Sequence, residues 1–220
     1  PVDIINMDCD FSGYKLLIAP MLYMVRPGVA ERIEKFVADG GTFVTTYWSG
    51  IVDENDLCFL GGFPGPLRKV TGIWSEEIDA LYDHDVNYAV PVSGNALNLD
   101  KEYKAMELCD LIHAETAEVL ATYKCDFYKE RPALTVNKFG SGKAYYIAFR
   151  SGVDFLSDFY TQLIKDLNIS RVLETELPEG VTAQKRSDGD KDYIFIMNFS
   201  TEEKNVKLPD DATYTDILCE

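Results

Sequence analysis

The sequence predicts an α/β domain followed by a small all-β module. Three observations carry that expectation. A continuous apolar run at residues 15–20 is followed by an amphipathic helical stretch and by a second apolar run at 42–47. That strand–helix–strand order pairs strands in parallel through a right-handed crossover. Further on, residues 134–149 read as a strand pair bent at glycine, with a helix close behind. After about residue 180 only short strand candidates remain. The pattern places the first domain at 1–174 and the second at 178–220, with the Pro- and Gly-containing stretch 175–180 between them.

Residues 2–5 form a short apolar run and read as a strand. The run at 15–20 is continuous rather than alternating, as a strand covered on both faces is expected to be. Pro27 opens the first helix at a favourable first-turn position. Val29, Ile33, Phe36 and Val37 share one helical face, while Glu31, Arg32, Glu34 and Lys35 point away, and Gly40-Gly41 ends it. The strand at 42–47 runs into a loop to about residue 66. That loop holds the acidic stretch Asp53-Glu54-Asn55-Asp56 and the Gly/Pro segment 61–66. So much punctuation marks a long, shaped loop, and such loops at strand ends carry function or subunit contacts. Strands are expected at 88–92, 106–112, 119–123, 134–139 and 144–149. Phe155, Leu156, Phe159, Leu163, Ile164 and Leu167 give the helix at 153–167 one apolar stripe. The last module holds strand candidates at 181–185, 193–199, 205–208 and 214–218, with a turn at Ser187-Asp188-Gly189-Asp190. A module of that size is marginal alone and leans on a neighbour.

Apolar residues make up 46% of the chain, enough for a packed core. The net charge of −16 argues against a nucleic-acid or anionic-membrane partner. No apolar run is long enough to span a bilayer. The odd count of five cysteines, without a C-x-x-C pair, reads as reduced thiols in a cytoplasmic protein. The chain opens on Pro1 rather than Met and enters an apolar run at once, which reads as a fragment.

The short motifs are weak. Gly140-Ser141-Gly142-Lys143 lacks an earlier Gly and a following Ser or Thr, and it joins two strands rather than a strand and a helix; it reads as a hairpin turn rather than a phosphate loop. Trp48-Ser49-Gly50 resembles a nucleophile elbow only faintly, because Tyr47 stands where the first Gly belongs. His84 and His113, the only histidines, lie far apart in sequence and read as surface or core residues. No catalytic, cofactor-binding or metal-binding residue is assigned, and no cofactor is expected. The acidic loop has three readings: a cation site built of oxygen ligands, a contact to sugar hydroxyls, or a solvated loop. Aromatic residues gather around it, with Tyr47, Trp48, Phe59, Phe63 and Trp74 in reach. Without a paired acid/base constellation, an interface is the favoured reading. The candidate interface or entrance residues are therefore Tyr47, Trp48, Asp53, Glu54, Asn55 and Phe63.

Several stretches resemble one family in the same order along the chain. They are residues 10–23 (DFSGYKLLIAPMLY), 40–42, 49–56 (SGIVDEND), 64–68 (PGPLR), 72–73, 117–123 (AEVLATY), 127–128 and 132–133, then 177–181 (LPEGV) and 193–199 (YIFIMNF). Together they are similar to the trimerisation domain and small C-terminal β domain of glycoside hydrolase family 42 β-galactosidases. The resemblance implies a flavodoxin-like or class I glutamine amidotransferase-like three-layer domain ahead of the β module. It also implies a parent enzyme whose (β/α)₈ barrel hydrolyses terminal β-galactosides with retention through two glutamates. It implies self-association as a homotrimer, contact with the parent's own barrel, and a first strand and helix ahead of Val2. The family's acid/base glutamate follows an Asn, and no Asn-Glu dipeptide occurs in these 220 residues, so no catalytic residue carries over. Two alternatives stand beside this reading: a stand-alone amidotransferase-like enzyme, which needs a reactive Cys beside a His, and a flavodoxin-like cofactor binder.

Overall fold

A computed structural model of the chain describes residues 2–209 and 213–217. Two compact units divide it, one of residues 6–167 and one of residues 1–5 with 168–220.

The first unit is built on a nine-stranded mixed sheet. Strand β1 (Leu16–Ala19) leads through helix α1 (Val29–Ala38) to β2 (Thr42–Thr46), and β1 and β2 pair in parallel as the sequence predicts. Gly28, at φ 82, is the residue that caps α1, so Pro27 precedes the helix instead of lying inside its first turn. The helix turns Val29, Ile33, Phe36 and Val37 inward, which is the face read from the spacing. Short helix α2 (Arg68–Thr71) and strands β3 (Ile73–Ala80), β4 (Asn87–Pro91), β5 (Tyr103–Ala114), β6 (Glu118–Tyr123), β7 (Pro132–Phe139), β8 (Gly142–Ile147) and β9 (Phe149–Ser151) follow, then helix α3 (Val153–Asp166). The strands lie in the order β1-β2-β8-β7-β6-β4-β5-β3, with β9 added on β5. Only β1, β2 and β8 run parallel to one another; the other pairings are antiparallel.

The sheet departs from the sequence reading in three places. Strand β1 is not covered on both sides: it stands at the sheet's edge, and Ile18 is 44% exposed. Strand β3 has no counterpart among the strands the sequence predicts. It carries Glu76 and Glu77 on the opposite edge, and a register shift between Ser75 and Glu77 breaks the alternation that would reveal it. The single strand expected at 144–149 is divided at Ala148, whose N–H goes to the Ala133 carbonyl and whose own carbonyl accepts the Asp110 N–H. The strand pair β7–β8 does bend at Gly140. A Cβ there would lie 2.5 Å from the Ala38 Cα, and φ is +59. The bend thus packs under the last turn of α1, and Ser141 donates to the Ala38 carbonyl at 2.9 Å. This is the carbonyl end of a helix, which repels phosphate, so a hairpin turn is the right reading.

The main core gathers Val44, Tyr145, Ile147 and Phe149 of the sheet with Phe155, Phe159 and Leu163 of α3. Tyr145 meets Phe159 edge-on at 5.6 Å, and Tyr103 meets Phe155 at 5.1 Å. These T-shaped pairs add to simple area burial.

In the second unit, β10 (Val181–Ser187) and β11 (Asp192–Asn198) form an antiparallel pair, its turn held by the Asp188 carboxylate accepting N–H bonds from Asp190 and Lys191. Residues 205–208 and 214–217 form no strand, and Leu218 lies outside the described residues. Residues 2–5 are likewise irregular, with Val2 and Ile4 exposed. Such short apolar runs, with no neighbour to bond, do not suffice for a strand.

Candidate functional site

The loop after β2 is fastened at its root by the main chain and by buried hydroxyls. The Tyr47 N–H reaches the Ile147 carbonyl, continuing the β2–β8 pairing. The Ser49 hydroxyl is fully buried; it donates to the Thr46 carbonyl at 2.7 Å, lies 2.8 Å from the Thr45 hydroxyl and accepts the Leu22 N–H at 3.0 Å. Fully buried and with its proton given to the Thr46 carbonyl, it holds chain and is closed to a substrate, which removes the nucleophile reading. Gly50 follows at φ +64, where a Cβ would stand 2.0 Å from the Pro64 carbonyl oxygen. The two ends of the loop therefore touch at a position only glycine can fill. Val52 bridges to Met24 on one side and to Cys58 on the other, and Phe63, which precedes the cis-peptide Pro64, pairs through its backbone with Ser75 of β3.

Within this frame the acidic stretch is a structured turn. The Asp53 carboxylate accepts the Asn55 N–H at 2.8 Å and the Leu57 N–H at 3.0 Å, so its charge caps its own loop. Glu54 and Asn55 face solvent. Among the described residues no group of three or more His, Cys, Asp or Glu side chains is placed to hold a metal ion. The geometry favours the solvated-loop reading of this stretch.

The predicted site residues do not all meet. Trp48 stands at φ +55 with its ring 36% exposed and packs edge-on against Tyr23 at 6.2 Å; the Tyr23 hydroxyl donates to Asp56 at 3.2 Å. Tyr47 is half-buried in the field of Glu107, Asp110 and Arg150, burial pushing its hydroxyl pKa up. Phe63 is half-buried on the β3 side. Trp74 stacks on His113 at 4.8 Å with the Arg68 guanidinium over its ring, and His113 contacts Glu76, a surface arrangement rather than a base beside a nucleophile.

What forms instead is an exposed aromatic pair at the carboxyl ends of β1 and β2, Tyr23 and Trp48; Met21 and Leu57 of the same segments are exposed as well. Met21, Trp48 and Asp56 all hold left-handed backbone without being glycine, a strain that clusters where structure serves function. Sequence reading missed Met21 and Tyr23, which follow the strand-ending Pro20. It also missed Asp110, an acid inside the buried stretch 109–112 of β5 and the group that anchors the Trp48 N–H at 3.1 Å. Its signal was a charge between the apolar residues Cys109 and Leu111. Next to it, burial pushes the Cys109 thiol up to about 12, the opposite of an activated nucleophile.

Residues 1–170 match the family model described as the beta-galactosidase trimerisation domain, and residues 180–220 match the beta-galactosidase C-terminal domain. The β-galactosidase Pbg of Clostridium perfringens is 66% identical over 210 residues, which are 96% of this chain and 30% of that protein. The β-galactosidase BglY of Alicyclobacillus acidocaldarius is 52% identical over 217 residues, 97% of this chain and 31% of the other. The crystal structure of a β-galactosidase from Rahnella sp. R3 superposes with a TM-score of 0.89 at 56% identity, covering 95% of this chain and 31% of that one. This chain thus spans about 30% of the length of these relatives.

Proposed function

This chain belongs to the glycoside hydrolase family 42 β-galactosidases, as their trimerisation and C-terminal domains, and from that premise we propose that it is the non-catalytic assembly region of a β-galactosidase. The parent enzyme hydrolyses terminal β-galactosides with retention, and the carboxylates that do so lie in the part of the relatives' length this chain does not span. The region joins copies of the enzyme into a homotrimer around a three-fold axis, by head-to-tail contacts that close a ring, and supports the catalytic barrel. Its first domain, residues 1–174, derives from the three-layer amidotransferase-like architecture, of which the parallel β1-β2-β8 block and the helices α1 and α3 are the supporting features; the second domain is residues 178–220. The parent works in the cytoplasm, in keeping with free thiols at Cys9, Cys58, Cys109 and Cys125. Among the described residues no helix is long and apolar enough to cross a membrane.

The observation that carries the assembly reading is the exposed Tyr23–Trp48 pair, with left-handed backbone at Trp48, in a domain whose family is described by its trimerisation. Such a Trp–Tyr pair is the composition of a binding hot spot. Trp48→Ala in the parent enzyme is expected to weaken association by about 2 kcal/mol, roughly thirtyfold in Kd, as seen by sedimentation velocity across a dilution series. An unchanged trimer would remove this pair from the interface.

A further inference from the structure

Asp110 occupies the middle of β5 and is 1% exposed. Its Oδ2 accepts two hydrogen bonds, one from the Tyr146 hydroxyl of β8 at 2.6 Å and one from the backbone N–H of Trp48 at 3.1 Å. Its Oδ1 is buried and has no hydrogen-bond partner. The titratable groups around it are Tyr146 of β8, Tyr123 of β6, Cys109 of β5 and Tyr47 of the loop, all neutral near pH 7, with Glu107 and Arg150 beyond Tyr47. No guanidinium or ammonium donates to this carboxylate; its two donors are a phenol and a peptide. A carboxylate so placed is costly when ionised, and of its two hydrogen-bond donors one, the Trp48 N–H, belongs to a loop rather than to the sheet. That loop already carries backbone strain at Trp48.

We propose that Asp110 is a proton-operated latch on the Trp48 loop: neutral, it holds the Trp48 backbone and so presents the Trp48–Tyr23 face, and ionised, it favours an opened loop in which water reaches the carboxylate. This regulation of the face rests on the assembly reading above only for its consequence, not for its chemistry. The sign follows from burial. Burial raises the Asp110 carboxyl from 3.8 to about 7, while the hydrogen bonds from Tyr146 and Trp48 act in the opposite direction. In the opened, hydrated loop the carboxyl returns toward its ordinary value, so the closed form binds the proton more tightly. The closed form is fully favoured below pH 4, loses that advantage progressively as pH rises from there, and has lost nearly all of it above about 7. At pH 8, one unit above, the closed state is weakened about tenfold relative to pH 6.

Hydrogen exchange of the peptide containing the Trp48 amide, followed by mass spectrometry on the 220-residue chain, reads the latch directly. Asp110→Asn keeps a carbonyl oxygen for both donors and cannot ionise. The ratio of wild-type to Asp110→Asn exchange cancels the intrinsic pH dependence of the amide. It is expected to be near one below pH 4, to climb by about tenfold per pH unit between about pH 5 and 7, and to level off above that. A flat ratio overturns the proposal. If the Asn variant does not fold, Tyr146→Phe removes one of the two bonds that favour the ionised form, and the wild-type opening midpoint must move to higher pH; an unmoved midpoint overturns the proposal equally. Sedimentation of Trp48→Ala stands apart from these readouts. Intact assembly there defeats the interface assignment and leaves the exchange result standing, whereas a flat exchange ratio defeats the latch whatever the assembly does.

Discussion

At Gly50 a single missing methyl decides whether the long loop can close. The residue combines φ +64 with a Pro64 carbonyl oxygen 2.0 Å from where a Cβ would be. Gly50→Ala is expected to cost about 3 kcal/mol, from left-handed strain and from overpacking against backbone that cannot yield. Gly61 supplies the control, since it also has positive φ (+94) but open space around it; Gly61→Ala is expected to cost about 1 kcal/mol. Urea midpoints of the two variants check the pair, and equal losses would refute the closure argument. The same logic explains what was legible here. The glycines and prolines of 61–66 announced a shaped loop, but nothing local revealed that Ser49 faces Thr45 and Thr46, or that Asp110 reaches Trp48 from 62 residues away.

Among the elements, α3 was the most readable and carries a correspondingly sharp expectation. Its stripe was predicted from spacing alone, and Phe155, Phe159 and Leu163 are the buried positions. Leu156 and Ile164, placed on the same stripe, remain 36% and 39% exposed, because the sheet covers a narrower arc of the helix than the apolar pattern spans. Phe159 lies against Tyr145, Phe155 and Tyr160 and is fully buried. Phe159→Ala is expected to lower stability by about 4 kcal/mol, measured by denaturant titration, whereas Ile164→Ala should cost about 1 kcal/mol or less. Comparable losses at both positions would contradict this packing. Strand β3 is the counterexample: its charges and its register shift hid it, because an edge strand needs burial on only part of one face.

Across the whole molecule, the net charge of −16 sets a condition on self-association. Copies of a strongly acidic chain repel one another, and salt screens that repulsion over a Debye length of about 10 Å at 0.1 M. Self-association of this chain through the proposed interface is therefore expected to tighten as NaCl rises from about 20 to 300 mM, as seen in sedimentation at fixed concentration; association that loosens with salt would mean that interfacial ion pairs, not apolar contacts, hold it. The sequence by itself determined the α/β class, the parallel β1–α1–β2 start, the β7–β8 hairpin, helix α3 and the family, because each rests on local periodicity, turn chemistry or the order of motifs along the chain. Only the tertiary structure decided that β1 and β3 are the sheet's edges, that the six predicted loop residues scatter while Tyr23 joins Trp48, and that Asp110 lies beneath them. The physical reason is that strand order and loop closure bring together residues whose separation in sequence leaves no mark on either of them.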